Sequence, residues 1–299
     1  MKEQNTFLAG VVYAVLAFSF WGMTPMYWNL LTVGAAVEIV VHRVLWGAVC
    51  AWIYVLIRRK LPLVQGILSD RSTMAAVAGA ALLVSVNWFV YVYAVSNEHV
   101  VDASLGYYIN PLVSIFLGMI FLGERLSKLQ IVALVSAGIG VGILTIQFGA
   151  FPWISLSLAL SFGFYGLIKK KTTLDTDIAL ALELLILAPI AITVLVALAS
   201  RGTTVFWSAG AATTAILVGG GLVTVIPLVL FAMATRLIPL SNVGFTQYIA
   251  PTLMLFIGVL MYGEAFPIGR LAGFLFVWLA LALYTTSTVH RARLAKSGQ

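Results

Sequence analysis

The sequence predicts an all-α integral membrane protein of ten transmembrane helices, arranged as two inverted repeats of five. Its 299 residues are 62% hydrophobic and only 9% charged, with a mean hydropathy of +1.07. Soluble domains are nearer half apolar and about a quarter charged. Apolar runs of roughly 20 residues, long enough to cross a bilayer, recur from Phe7 almost to His290. The chain is therefore expected to lie in a lipid bilayer and to cross it many times.

Composition also excludes several classes of partner. The net charge of +7 does not indicate nucleic-acid binding, because the basic residues are concentrated in selected loops. Cys50 is the only cysteine, so neither an intrachain disulfide nor a zinc cluster can form, and no metal or cofactor is expected. The apolar stretch after Lys2 lacks a small-residue cleavage site and is interpreted as the first span.

The ten spans follow one another with short loops. They are expected at about 7–30, 37–57, 74–96, 101–122, 129–148, 151–168, 178–199, 211–234, 240–262 and 270–289. No stretch between them is long enough for a soluble nucleotide-binding domain, and there is no G-x-x-x-x-G-K-[ST] phosphate loop. An ATP-driven pump within this one chain is therefore excluded.

Loop charge predicts the orientation, because Lys and Arg are concentrated in cytoplasmic loops. When the loops are assigned to alternate sides, one side carries 14 of the 17 basic residues: Lys2, Arg58, Arg59, Lys60, Arg71, Arg125, Lys128, Lys169, Lys170, Lys171, Arg236, Arg291, Arg293 and Lys296. The other side carries Arg201 and Arg270, and Arg43 remains inside a span. Both termini are expected in the cytoplasm.

An internal repeat at an offset of 140 residues divides the chain. Tyr108-Ile109-Asn110-Pro111 aligns with Tyr248-Ile249-Ala250-Pro251, and the same offset places Gly123-Glu124 on Gly263-Glu264. Each unit holds five spans, an odd number, so the second copy must be inverted in the membrane. The repeats are assigned to residues 1–148 and 149–290, followed by a cytoplasmic tail over 291–299. Inverted repeats are typical of secondary transporters, which bind substrate between the halves.

Ionisable residues within spans are the first candidates for a functional site, because each costs about 2.5–3.5 kcal/mol at the centre of a span. Glu38, His42 and Arg43 open the second span, and the seventh contains Glu183. Glu and His can titrate and Arg can hold an anion, so these are candidate coupling or substrate-charge groups, with protons as the coupling ion. In the structural alternative, Glu38 pairs with Arg43. His42 is then satisfied by a neighbour, and Glu183 caps its own helix.

Polar and aromatic residues within the spans form the second group of candidates. The expected substrate contacts are Trp21, Tyr27, Asn87, Tyr91, Tyr107, Tyr108, Asn110, Gln247 and Tyr248. The amide of Asn87 can donate and accept, although hydrogen bonding between helices is the alternative role. The repeat aligns Asn87 with Pro227, so the halves differ here, as an asymmetric solute requires. Aromatic residues of the first span either floor a cavity or belong to the interfacial belt, and the belt is favoured for Trp28.

Two prolines are expected to break the central helices. The repeat pairs Pro111 in span four with Pro251 in span nine. Each removes a backbone donor, an irregularity that is tolerated in a membrane where it is buried in protein or lines a cavity. Spans four and nine are therefore expected to line a central cavity, and a kink that serves packing alone is the alternative. Glu124 and Glu264 follow a glycine at a helix end and are interpreted as structural.

The same residues carry a family resemblance. They are Trp21-Gly22 with Pro25 and Tyr27, Glu38 with His42-Arg43, Asn87-Trp88, the stretch from Ser104 to Leu112, Glu124-Arg125, Pro152-Trp153, Tyr165-Gly166, Pro227-Leu228 and the stretch from Gln247 to Pro251. With them the chain resembles the RarD proteins of the EamA branch of the drug/metabolite transporter superfamily over nearly its whole length. The resemblance implies ten helices with cytoplasmic termini in a bacterial inner membrane, and transport, with export favoured, of a small organic metabolite or drug-like solute.

Several functions stay open at this point. A gradient-coupled carrier is favoured, and an uncoupled facilitator or exchanger and a non-transporting membrane sensor are the alternatives. Catalysis is not expected, because no paired carboxylates, metal cluster or nucleophile with its base lies at membrane depth, and Asp102, Asp175 and Asp177 fall in loops. Neither the identity of the solute nor the oligomeric state is predicted.

Overall fold

The computed structural model describes residues 2–31, 36–97, 99–149, 151–263 and 271–297, so Glu264 and Arg270 lie outside the described residues. Over these ranges the chain forms twelve α-helices. They are α1 (Lys2–Trp28), α2 (Ala36–Ile57), α3 (Leu61–Leu68), α4 (Arg71–Ser96), α5 (Val100–Leu122), α6 (Lys128–Phe148), α7 (Trp153–Lys171), α8 (Thr176–Ser200), α9 (Gly210–Leu237), α10 (Leu240–Gln247), α11 (Ile249–Met261) and α12 (Leu271–Ser297).

Within the described ranges, nine segments are long and apolar enough to cross a membrane, with α10 and α11 together forming one of them. The expected span over 151–168 corresponds to α7, which is not among the nine. Its 19 residues include three serines and end in Lys169, Lys170 and Lys171, so it is less apolar than a typical span. The short helix α3 was not expected from the sequence and lies in the connection between α2 and α4.

The two proline-containing helices differ. The helix of span nine is interrupted at Tyr248, between α10 and α11, three residues before Pro251. By contrast, α5 continues through Pro111 without interruption, so the expected break there is not found. A proline removes one backbone hydrogen bond of a helix. The turns of α5 on either side of Pro111 remain helical, so the helix continues through it. Gly244 of α10 packs tightly here, since a Cβ atom on it would lie 2.9 Å from the Pro111 carbonyl oxygen.

The helices pack as neighbours in a closed bundle. α1 packs against α9 and α11, α2 against α8 and α9, α4 against α7, and α5 against both α7 and α10. α6 packs against α12. The buried residues of α1, α2, α4, α8 and α9 form most of the larger apolar core, and those of α5, α6, α10 and α12 form most of the second.

The α6–α12 contact depends on two glycines. A Cβ atom on Gly140 would lie 2.7 Å from the carbonyl oxygen of Gly273, whereas one on Gly138 would meet no atom within 4 Å. We expect Gly140→Ala to lower the free energy of unfolding by about 1–3 kcal/mol relative to Gly138→Ala, because the helices must separate. Unfolding of both variants in detergent measures this difference. Equal stabilities would contradict the close approach of α6 and α12.

A cluster of charged side chains connects the end of α2 to the start of α8 at one end of the bundle. Lys60 Nζ, after α2, lies 2.8 Å from Asp175 Oδ2 and 2.8 Å from Asp177 Oδ2, before and at the start of α8. The cluster places the end of α2 beside the end of α7. We call this end of the molecule, which holds Lys60 and Lys169–Lys171, the basic end.

This cluster predicts a pH dependence. The hydrogen bond from Lys60 lowers the pKa of Asp175. A carboxylate with a lowered pKa stabilises the fold above its unfolded pKa of about 3.9, and this contribution is lost as pH falls through the folded pKa. We therefore expect Lys60→Met to cost less than about 1 kcal/mol at neutral pH, since the pair is partly exposed. The difference from the parent protein should vanish in acid. A difference that grows in acid would contradict the pairing.

Candidate functional site

A cavity of about 360 Å³ lies inside the bundle. Residues of α1, α2, α4, α5, α7, α9, α10 and α11 line it, and none of the described lining residues comes from α6, α8 or α12. Its volume falls within the range of small-molecule sites, about 300–1,000 Å³. Most of the wall is aromatic or aliphatic, including Phe18, Trp21, Trp28, Trp88, Phe162 and Met254.

One face of α1 forms a wall of the cavity. Phe18, Trp21, Pro25 and Trp28 are spaced three and four residues apart and therefore share this face. Tyr27 is turned about 100° away, as each helical step requires, and its hydroxyl donates to the Ile216 carbonyl oxygen at 2.6 Å. The expected substrate contact at Tyr27 therefore lies outside the cavity. Trp28, assigned to the interfacial belt, lines it, and the spacing from Trp21 was the signal that could have shown this.

Arg43 is the one charged residue among the described residues that line the cavity. Its Nε donates to Thr224 Oγ1 at 3.0 Å, and its guanidinium carbon lies 5.7 Å from the ring centroid of Trp28 and 5.2 Å from that of Trp88. Both distances are within the range of cation–π attraction. Among the described residues, no acidic side chain lies within ion-pair distance of Arg43. The guanidinium is thus held in place without being neutralised.

Glu38 does not pair with Arg43, contrary to the structural alternative. Its carboxylate is 1% exposed and accepts hydrogen bonds from the Thr204 hydroxyl and from the backbone N–H groups of Val205, at 2.9 Å, and Phe206, at 3.1 Å. These donors lie in the connection between α8 and α9. Glu38 therefore anchors that connection to α2 and does not line the cavity.

His42 also lies outside the cavity. Its Nδ1 accepts a hydrogen bond from Trp46 Nε1 at 3.2 Å, and its ring stacks on Phe206 with a centroid distance of 4.4 Å. Its Nε2 lies 3.8 Å from Glu38 Oε1, beyond hydrogen-bonding distance. The imidazole is therefore fixed by the Trp46 hydrogen bond at its edge and by Phe206 against its face.

Asn87 lines the cavity but uses its amide donors elsewhere. Its Nδ2 donates to the Leu158 carbonyl oxygen at 2.9 Å and to Ser161 Oγ at 3.1 Å, both in α7. These bonds join α4 to α7 and correspond to the structural alternative for this residue. The side chain nevertheless forms part of the wall.

Two buried acceptors of the cavity have no hydrogen-bond partner in the described part of the chain. They are Oδ1 of Asn110 and Oε1 of Gln247. Gln247 is fixed by its other end, where Nε2 donates to Ser114 Oγ at 2.9 Å. An unpaired buried acceptor costs about 1–3 kcal/mol, so both oxygens favour a ligand that donates hydrogen bonds. Pro111, next to Asn110, does not line the cavity.

The tyrosines divide between the cavity and the core. Tyr91 and Tyr107 line the cavity. Tyr108, one helical step on, is buried and its hydroxyl donates to the Pro251 carbonyl oxygen at 3.4 Å. Tyr248 is 0% exposed and packs in the core of α5, α6 and α12. The expected substrate contacts at Tyr108 and Tyr248 are therefore outside the cavity, whereas Pro251 lines it.

An aromatic plug closes the cavity toward the basic end. We define the plug as Phe18, Trp21, Phe162, Tyr165 and Phe231. Its rings are in mutual contact, with centroid distances of 5.0 Å between Phe162 and Phe231 and 5.6 Å between Trp21 and Phe162. At the opposite end, a second space of about 430 Å³ shares Pro25, Trp28 and Met254 with the cavity. Along these shared lining residues the cavity adjoins a second space on the side away from the plug.

A buried ion pair lies behind the plug. Lys169 Nζ is 2.5 Å from Glu183 Oε1, and each side chain is 2% exposed. The hydroxyl of Tyr165, a member of the plug, donates to Glu183 Oε2 at 3.2 Å. Glu183 thus joins α7 to α8 and lies outside the cavity. Lys169 was assigned to a loop, because Lys170 and Lys171 follow it directly in the sequence.

A bundle of membrane-spanning helices around a small cavity is a common construction among membrane transporters. The model of the EamA-like transporter family matches residues 8–146. The chain is 41% identical to Protein RarD of Streptomyces exfoliatus, over 99% of this chain and 94% of the relative. It is 37% identical to Protein RarD of Escherichia coli, over 95% and 96%. The chain belongs to the RarD proteins of the EamA-like transporter family and is a multi-pass inner-membrane protein.

Two further similarities agree with this assignment. The chain is 41% identical to the uncharacterized transporter YojE of Bacillus subtilis, over 96% of this chain and 97% of the relative. A solved crystal structure of a protein has the same fold, with a TM-score of 0.72 at 15% sequence identity. The similarity covers 93% of this chain and 98% of the other.

Proposed function

We propose that the protein is a secondary transporter that carries a small organic solute by alternating access, with export as the favoured direction. The observation that supports this most is a ligand-sized cavity that has the aromatic plug at one end and adjoins a second space at the other. An alternating-access carrier needs a barrier on one side of its site at a time. A plug made of side chains from α1, α7 and α9 can open when these helices move apart.

The proposed topology has ten spans in two inverted repeats, with α7 as the tenth span. α7 packs against α4, α5 and α9, so its serines and lysine are shielded by protein. Elements that the repeat relates are neighbours, since α6 packs against α12 and α5 against α10. With both termini in the cytoplasm, the basic end and the plug face the cytoplasm and the cavity faces outward. The described conformation is then the outward-facing one.

The ion pair of Lys169 and Glu183 is the proposed latch of the plug. Movement of α7 away from α1 and α9 would also shift it relative to α8, and the ion pair and the Tyr165 hydrogen bond join α7 to α8. Protonation of Glu183 would remove its attraction to Lys169 and ease this movement. Protons are therefore the proposed coupling ion, and Glu183 is a better candidate than Glu38, whose carboxylate is fixed by three donors.

Efflux from proteoliposomes tests the proposal. The vesicles are loaded at pH 8 with an equimolar mixture of 4-hydroxyphenylacetate, 4-hydroxyphenylacetamide and tyramine, which share a ring and differ in charge. Protein-free liposomes give the baseline. Efflux of at least one solute above this baseline is expected, with a rate that responds to an imposed pH gradient. A rate indifferent to the gradient would identify a facilitator, and efflux of none of the three would favour a sensor.

A further inference from the structure

We infer that the carried solute is an organic monoanion, with a carboxylate bound by Arg43, a flat apolar body against the tryptophans of the cavity, and a hydrogen-bond donor. This inference rests on the proposed transport function and names its substrate class. It begins from the unneutralised charge of Arg43 in the cavity wall.

The guanidinium of Arg43 is positioned so that its Nη groups can bind both oxygens of a carboxylate. Arg carries five N–H donors, and the described structure assigns the Nε donor to Thr224. The Nη groups have no described partner, and they form the fork that matches a carboxylate. Trp28 and Trp88 lie against the guanidinium and limit its movement. The fork is therefore held in one place before a solute arrives.

The charge of the wall selects the charge of the solute. The described lining residues include Arg43 and no Asp or Glu. A solute with one negative charge makes the filled cavity neutral, whereas a cation or a dianion leaves a net charge away from water. Charges interact more strongly there than in water, because the protein interior has a lower effective dielectric constant. A zwitterion has the carboxylate but brings an ammonium group that finds no described carboxylate.

The other residues of the cavity wall indicate what the remainder of the solute, apart from its carboxylate, should look like. The aromatic rings of Trp21, Trp28 and Trp88 offer flat apolar surfaces, and about 360 Å³ accommodates a small molecule. Oδ1 of Asn110 and Oε1 of Gln247 are buried acceptors without a described partner. A hydroxyl on the body of the solute would donate to one of them. 4-Hydroxyphenylacetate combines these three features in one small molecule.

Ligand binding to the purified full-length protein tests the inference. Tryptophan fluorescence and thermal shift are measured with 4-hydroxyphenylacetate, its neutral amide, tyramine and the zwitterion tyrosine. We expect the carboxylate to bind at least about tenfold more tightly than any of the others, at pH 8 and low ionic strength. A carboxylate that binds no better than the amide, including one that does not bind, overturns the inference. This comparison needs no variant.

Variants of Arg43 test whether its guanidinium is the group that recognises the carboxylate. Arg43→Gln should remove the preference for the carboxylate over the amide, and Arg43→Lys should keep part of it, because charge remains without the fork. Arg201→Gln is the matched control, since Arg201 is exposed beyond the end of α8. A preference retained in Arg43→Gln overturns the assignment. In the efflux experiment, exit of the amide or tyramine without the carboxylate overturns the substrate class alone, whereas exit of no solute overturns the transport function.

Discussion

Replacing Lys169 with Met is expected to lower the free energy of unfolding by about 3–5 kcal/mol, because it leaves the Glu183 carboxylate buried without its cation. Lys171→Met is the matched control, since Lys171 is exposed two residues further on, and it should change stability by less than about 0.5 kcal/mol. Denaturant or thermal unfolding in detergent measures both. Equal effects of the two substitutions would contradict the buried pair.

The double variant Lys169→Met with Glu183→Leu distinguishes the effect of an unpaired buried charge from the effect of changed packing at these positions. An apolar replacement of both partners of a buried ion pair is often neutral or stabilising, so most of the lost stability should return. If the pair is also the latch of the plug, efflux in the double variant should lose its dependence on the pH gradient. A double variant as unstable as Lys169→Met would show that packing, and not charge, explains the loss.

Glu38→Ala is the second large expected effect, a loss of about 2–4 kcal/mol. The substitution leaves the Thr204 hydroxyl and the backbone N–H groups of Val205 and Phe206 without their acceptor. Glu38→Gln keeps one acceptor oxygen and should lose less. If Glu38 instead served as the coupling group, Glu38→Gln would leave stability unchanged and abolish the response of efflux to pH. Unfolding and efflux of the same two variants decide between these outcomes.

Most of the helices could be predicted from the sequence, because a membrane span needs an apolar run of fixed length and leaves little freedom in its position. The break of span nine was expected near Pro251 and lies at Tyr248. The helix through Pro111 was not predicted correctly, because a proline removes only one hydrogen bond and the sequence does not show which neighbours support the turn. The short α3 carries no span-length signal.

The residues of the cavity could be predicted only in part. Arg43, Asn110 and Gln247 were visible as polar residues within apolar spans, and all three line the cavity. The sequence did not show that Tyr27 lies outside the cavity and Trp28 in its wall, because aromatic composition does not give the rotation of a helix about its axis.

Contacts between distant parts of the chain were the hardest to predict. Glu38 binds a connection 166 to 168 residues away, and no local pattern encodes that contact. Lys169 looked like one of three loop lysines, because its burial goes with an ion pair to Glu183 of α8 that no local pattern encodes. These residues anchor the bundle at its two ends, so their roles emerge only when the helices are assembled.

Cysteine accessibility from both sides of the membrane tests alternating access most directly, and it requires no known solute. In a Cys50→Ala background, Thr24→Cys places a single thiol in the cavity wall, and Ser208→Cys places one on an exposed loop as the control. A membrane-impermeant maleimide is applied to right-side-out and to inside-out vesicles. We predict that Thr24→Cys is labelled from both sides, more readily from the cytoplasmic side when Lys169→Met is added, and that Ser208→Cys is labelled from outside only. Labelling of Thr24→Cys from one side alone, with and without Lys169→Met, would contradict the transporter proposed here.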